Sequence, residues 1–191
     1  MEDISTHIRG VNAVLIRKWL SERFGQDTLD KICSKISPQA CAMLREPDPN
    51  EWYPVSLTKE AYEAIDLELG ATYPEALHDF GNYEVEQSVK GFLSFLAKFL
   101  TVQQLFKRAK AFWKSFNRGG GIETDPVVEE AGRKKSTVYI LGSRIGQAGC
   151  KVLEGYIELL IAQTGVHDVK VVKKKCVNKG DTVCSWEVSW K

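Results

Sequence analysis

Five cysteines and three histidines are the side chains of this 191-residue sequence best suited to metal, redox or proton chemistry. The cysteine number is odd, and the opening Met-Glu-Asp-Ile-Ser-Thr lacks the basic-then-apolar layout of an export signal. Together these point to a reducing cytoplasm and to free or metal-bound thiols. Cys33 and Cys41 fall in short helical segments among apolar neighbours and read as buried structural thiols. Cys176 and Cys184 instead flank Asn178-Lys179-Gly180-Asp181, a turn sequence between two strand-like runs. A three-residue loop with a bulge sets the two cysteines opposite each other, and a two-residue loop sets them one step out of register. In both cases two thiols meet at the base of a terminal hairpin. Cys150 lies on one face of the helix that precedes it. Among the histidines, His78 in Ala76-Leu77-His78-Asp79-Phe80 has the most apolar setting and reads as a hydrogen-bonded core or cap residue.

Recognised catalytic patterns are missing: the sequence has no Gly-x-Ser-x-Gly, no His-Glu-x-x-His and no Cys-x-x-Cys. Arg118-Gly119-Gly120-Gly121-Ile122, expected to be irregular, is too short to wrap phosphates, and no Gly-Lys-Ser/Thr follows it. Carboxylates are plentiful, but none forms a pair that spacing identifies as facing inward. The chain is therefore not expected to be an enzyme. Its net charge is +1, from 26 basic and 25 acidic residues, so no bulk field points to nucleic acid or to a membrane surface. No apolar run is long enough to span a bilayer, and 43% apolar residues suffice for a sizeable core.

The elements that must position these residues follow from periodicity. Val11, Leu15, Trp19 and Leu20 predict a helix ending at Gly25, Asp27 to Ile36 a second, and Pro38 to Leu44 a third. Glu46 to Pro54 carries three prolines and is predicted non-helical. A helix follows from Ser56 to Gly70. The longest helical stretch, Glu84 to Asn117, has two apolar stripes with a break at Thr101 or Val102. Its second part is basic through Lys107, Arg108, Lys110, Lys114 and Arg118, the solvated face of a core helix. Lys135 to Leu141 reads as a strand and Gln147 to Gln163 as a helix. Cys150, Leu153, Ile157, Leu160 and Ile161 share one face of that helix and look toward the sheet. In the last strand Cys184, Trp186, Val188 and Trp190 alternate with Ser185, Glu187 and Ser189, the period of a half-buried strand. The class expected is α+β: a helical N-terminal two thirds packed on a small antiparallel sheet formed by the C-terminal third. Residues 1–191 make one domain, with a helical lobe over about 1–117 and strand, helix and hairpin over 135–191.

Gly-Asp-x-x-Cys on the last hairpin, a preceding helix with a cysteine in its first turns, and the helical first half resemble the vinyl-reductase-type (4-vinyl reductase) ligand-sensing domain. That domain shares a superfamily with heme nitric-oxide-binding domains and the small subunits of the TRAPP vesicle-tethering complex. Trp52-Tyr53-Pro54 and the Ser143-Arg144-x-Gly146 lead into the late helix are most similar to a bacterial heme-NO-binding-like branch. The resemblance covers nearly the whole chain through short motifs. It implies zinc on Cys150, Cys176 and Cys184, in a family where a glutamate three residues before the second cysteine completes the set; here that position is Lys173. His167 and Asp181 are the substitutes within reach. It also implies, for heme-binding members, a histidine in the helix before the sheet and a Tyr-x-Ser-x-Arg clamp. Leu105 to Asn117 has no histidine, and Tyr139, Ser143 and Arg144 have the right types at the wrong spacing, so heme is not expected.

The functional expectation is a cytoplasmic sensory or regulatory module, a homodimer, that binds a small apolar ligand between helices and sheet and signals to a protein partner. Phe92, Phe95, Phe112 and Trp113 are expected to line the cavity, with Trp52 and Tyr53 near its rim. The alternative is a ligand-free adaptor resembling the TRAPP small subunits, which would carry a fully packed core and an apolar patch outside.

Overall fold

The computed structural model of the protein describes residues 4–88 and 100–191. Among the described residues five helices form the N-terminal lobe: α1 (Val11–Phe24), α2 (Gln26–Cys33), α3 (Pro38–Arg45), α4 (Val55–Leu69) and α5 (Ala76–Ser88). Their boundaries follow local chemistry. Gly25, at φ 82, stops α1. Pro38 opens α3 while the Ser37 hydroxyl accepts from the Ala40 N–H. Helical spacing turns Ile16, Trp19 and Leu20 of α1 inward, and these meet Leu29, Ile32, Leu44, Ile65, Leu77 and Phe80 in one core.

A small antiparallel sheet ties the ends of this lobe together. In it β1 (His7–Arg9) lies between β2 (Trp52–Pro54) and β3 (Asn117–Arg118). The extended geometry expected around Trp52-Tyr53-Pro54 is thus recruited as a strand, with Arg9 paired to Trp52 and Ile8 to Tyr53. Single-strand periodicity in three residues is too short to reveal such pairing.

The C-terminal part begins with α6 (Val102–Phe116). Thr101 caps it in a capping box: its hydroxyl accepts from the Gln104 N–H, and its own N–H donates to Gln104 Oε1 at 2.9 Å. The break expected at Thr101 or Val102 is this cap. The larger sheet contains β4 (Gly121–Thr124), β5 (Val128–Glu130), β6 (Arg133–Leu141), β7 (Lys170–Lys175) and β8 (Cys184–Trp190), in the order β4-β6-β8-β7 with β5 also on β6. All pairings are antiparallel, and helix α7 (Gly146–Ala162) packs on the buried face. The α+β class stands.

Two local expectations are corrected. The glycine run is irregular only at Gly119 and Gly120, which at φ 70 and 63 turn the chain out of β3; Arg118 ends that strand and Gly121 already belongs to β4. The terminal hairpin has no two- or three-residue turn. A bulge falls between Lys173 and Lys175, and the connection from Cys176 onward contains a 3₁₀ turn, Val177–Lys179, before β8 starts at Cys184.

The helical lobe meets the sheet lobe where α5 crosses α7. A Cβ added to Gly81 would overlap the Val152 carbonyl oxygen, and one added to Gly155 would overlap the His78 carbonyl. Glycine on both helices is what permits this approach. No described helix is long and apolar enough to cross a membrane.

Candidate functional site

Two places gather the residues singled out by the sequence, and both lie against α7. The first is the thiol cluster. Cys150 comes from the first turns of α7, Cys184 from the start of β8, and Cys176 from the end of the β7 connection; their sulfurs lie within 4.8 Å of one another, all buried. Cys150 and Cys184 are 3.9 Å apart. The hydrogen bond from the Cys150 thiol, together with the nearby Lys173 ammonium, draws the Cys184 thiol down to about 6, while the same bond and burial push Cys150 up. Lys173 lies 4.4 Å over the Trp186 ring. A cation thus faces these sulfurs from the position where the resemblance places an acidic ligand. Among the described residues no histidine or carboxylate joins the group. Asp181 instead accepts the Cys176 N–H at 2.7 Å, and the His167 backbone pairs with Lys191.

The second place is a cavity of about 270 Å³ beneath α6. Leu105, Phe106, Ala109, Phe112, Trp113 and Phe116 form its roof, Ile122, Val138 and Ile140 of the sheet one wall, and Val152, Leu153, Ile157 and Ile161 of α7 another. Val11 and Leu15 of α1 reach it from the helical lobe. Although α6 is strongly amphipathic in sequence, only Val102 and Leu105 are buried on it; Phe112 is 49% exposed and Phe116 41%. Much of its apolar face looks into the hollow rather than onto another element. The thiols lie one strand away, since Cys184 pairs with Ile140 and both side chains share a face.

One end of the cavity is polar. The Asn12 amide donates to the Tyr62 hydroxyl and to Glu84 Oε1, each at 2.8 Å. Asn12 Oδ1 is buried without a partner. Burial raises the Glu84 carboxyl to about 7, opposed only by the Asn12 hydrogen bond. Tyr156, raised to about 12 by burial and by Glu84, completes the group. Sequence reasoning missed all four residues. The available signal was Asn12, a polar residue one turn ahead of Ile16 on an otherwise buried stripe.

Of the residues expected at the cavity, Phe112 and Trp113 line it, and the Trp113 indole N–H donates to the Gly119 carbonyl at 3.1 Å. Phe92 and Phe95 lie outside the described residues. Trp52 and Tyr53 do not line it: the Arg118 guanidinium stacks 4.4 Å over the Trp52 ring, and the Tyr53 hydroxyl accepts the Asp48 N–H. Their β1 partners Ile8 and Arg9 reach the cavity in their place. His78 Nε2 lies 2.9 Å from Glu158, a paired histidine at the α5–α7 contact.

No protein-family model and no curated protein matches the sequence. Solved structures do match the fold. The Fe(II) unliganded H-NOX protein from K. algicida superposes with TM-score 0.71 at 11% identity, over 96% of this chain and 97% of that one. An S. oneidensis H-NOX protein in the Fe(II)NO state gives 0.70 at 12%, over 96% and 99%. A structure from work on heme distortion in the H-NOX family gives 0.68 at 15%, over 96% and 94%. The chain therefore has the heme-NO-binding-like fold.

These neighbours correct the cofactor expectation of zinc on Cys150, Cys176 and Cys184 and of no heme. Two of these neighbours carry Fe(II) and a third is studied for heme distortion, so the precedent among them is heme rather than zinc. The residues lining the cavity do not match a heme held through protein nitrogen or sulfur. Among the described lining residues there is no histidine, cysteine or methionine, and Tyr62, Tyr156 and Glu84 supply the side-chain oxygens nearest in kind to an axial ligand.

Proposed function

We propose that the chain is a sensory or regulatory module that holds a small apolar ligand in the cavity under α6 and passes its occupancy to a protein partner. The observation that carries this reading is the helix itself: a strongly one-sided α6 whose apolar residues roof a hollow of about 270 Å³ instead of a packed core. An apolar void of about 150 Å³ takes benzene, so this one suits a guest of roughly bicyclic size. The S. oneidensis neighbour in its Fe(II)NO state supports the reading, because the same fold there holds a small ligand. A guest touching Phe112, Trp113 and Phe116 fixes the outer turns of α6. The surface that α6 presents to a partner, or to a second copy in a homodimer, then depends on occupancy.

Naphthalene, uncharged and of the right size, tests this directly. Saturable binding of one naphthalene per chain, raising the thermal midpoint as ligand concentration rises, is the expected result. Absence of saturable binding overturns the reading and leaves the ligand-free adaptor.

A further inference from the structure

The polar end of the cavity narrows the ligand class. This step rests on the cavity reading above and asks what a guest must carry at its head. Glu84 and Asn12 present acceptors there. Glu84 Oε1 takes one Asn12 N–H, and among the described residues Glu84 Oε2 has no hydrogen bond or ion pair. Asn12 spends its amide donor on Tyr62 and Glu84, which leaves Oδ1 buried and without a partner. An unsatisfied buried acceptor and a carboxyl with no cation among the described residues are both costly in an apolar setting. Arg9, the single cation among the described lining residues, turns to Asn50 at 3.5 Å and makes no ion pair with Glu84.

We infer that the cavity selects a primary amine with an apolar body, its ammonium seated between Glu84 and Asn12 and its hydrocarbon part along the α6 roof. An ammonium offers three donors and no acceptor, which matches Glu84 Oε2 and Asn12 Oδ1 together. A carboxylate head sets a second negative charge beside the ionised Glu84 at pH 8 and is rejected. A hydroxyl satisfies one acceptor and leaves the carboxyl without a counter-charge. Tyr62 and Tyr156 are the other titratable groups facing Glu84, and both stay neutral because burial holds their phenols up. The proton that moves on binding therefore belongs to Glu84. Its carboxyl titrates near 7 in the empty cavity, and an ammonium beside it favours the ionised form, so amine binding below that pH releases a proton.

Calorimetry on the full chain with 2-phenylethylamine, 2-phenylethanol, 3-phenylpropionate and ethylbenzene tests this. At pH 8 the amine is expected to bind at least tenfold tighter than the alcohol or ethylbenzene, with the acid not binding. At pH 6.5, paired buffers of different ionisation enthalpy are expected to show release of roughly 0.7 proton per amine bound. Glu84→Gln should bring the amine down to the affinity of ethylbenzene and abolish the proton release. If that variant fails to fold, the proton release of the unmodified protein still decides. Equal affinity for amine and ethylbenzene, a preference for the alcohol, or no proton release overturns the inference and leaves the cavity reading standing. Failure of all four compounds to bind removes the cavity reading as well.

Discussion

The chain builds two apolar interiors, and they are finished differently. In the helical lobe Trp19, Phe80, Ile16, Leu20 and Ile65 are fully buried, and the one polar atom that Trp19 brings inward is satisfied, its indole N–H donating to Asp79 Oδ2 at 2.8 Å. In the sheet lobe Trp186, Val188 and Trp190 of β8 are likewise buried. Beneath α6 that lobe is hollow, and the hollow ends on a carboxyl and an unpartnered amide oxygen. A void forfeits dispersion contacts, and a desolvated carboxyl costs more. The closed core contributes stability, whereas the hollow one spends some of it on a surface that only a guest completes.

The largest expected effects come from the filled side. Trp19→Ala should lose about 3–5 kcal/mol in urea denaturation, from lost burial and the cavity left behind. A loss under about 1 kcal/mol would mean that this interior is no better packed than the other. Gly81→Ala presses a methyl on the Val152 carbonyl, backbone against backbone, so no rotamer change relieves it. It is expected to cost about 1–3 kcal/mol or more and to weaken naphthalene binding, because Val152 is also a cavity wall.

Next in size is a pH effect confined to the hollow side. The Glu84 carboxyl titrates near 4.5 in the unfolded chain and near 7 in the folded one, so between those values the folded state binds more protons. Stability from this group is present below about pH 4.5 and is lost as pH rises through 7, a fall of about 3 kcal/mol for an empty cavity. Glu84→Gln should flatten that slope. An unchanged slope in the variant would mean that water or another group already compensates the carboxyl.

Much of this contrast was legible in the sequence, but unevenly. Strong periodicity located α1, α4, α7 and β8 to within a residue or two, and the thiol cluster followed from Cys150, Cys176 and Cys184 on elements that must pack together. The three-residue strands His7–Arg9 and Trp52–Pro54 were not legible, because pairing across 45 residues leaves no local period. Phe112 and Trp113 were marked as cavity residues by aromatic density, but that signal does not separate a roof from a packed core, and Trp52 carried it too without reaching the cavity. The polar end was invisible for another reason: Asn12, Tyr62, Glu84 and Tyr156 converge from α1, α4, α5 and α7, and nothing in their spacing joins them. The cofactor expectation failed on the same ground, since three neighbouring thiols specify a place and not its occupant.

The smallest expected effects separate the two interiors most sharply, because their signs oppose those at Trp19. Phe112 is half exposed and roofs the void, so Phe112→Ala should change stability by less than about 0.5 kcal/mol and weaken naphthalene binding severalfold. Ala109, one turn before Trp113 on the same roof, points its methyl at the empty space. Ala109→Phe places a ring where a guest would sit and should raise stability by about 1 kcal/mol, as cavity-filling substitutions do, while abolishing naphthalene binding. In a densely packed interior the same enlargement destabilises by about 1–3 kcal/mol. A melting and titration series on Ala109→Phe thus decides, by sign alone, whether the space under α6 is open to a guest: stabilisation with lost binding marks a hollow, and destabilisation marks a core that was already full.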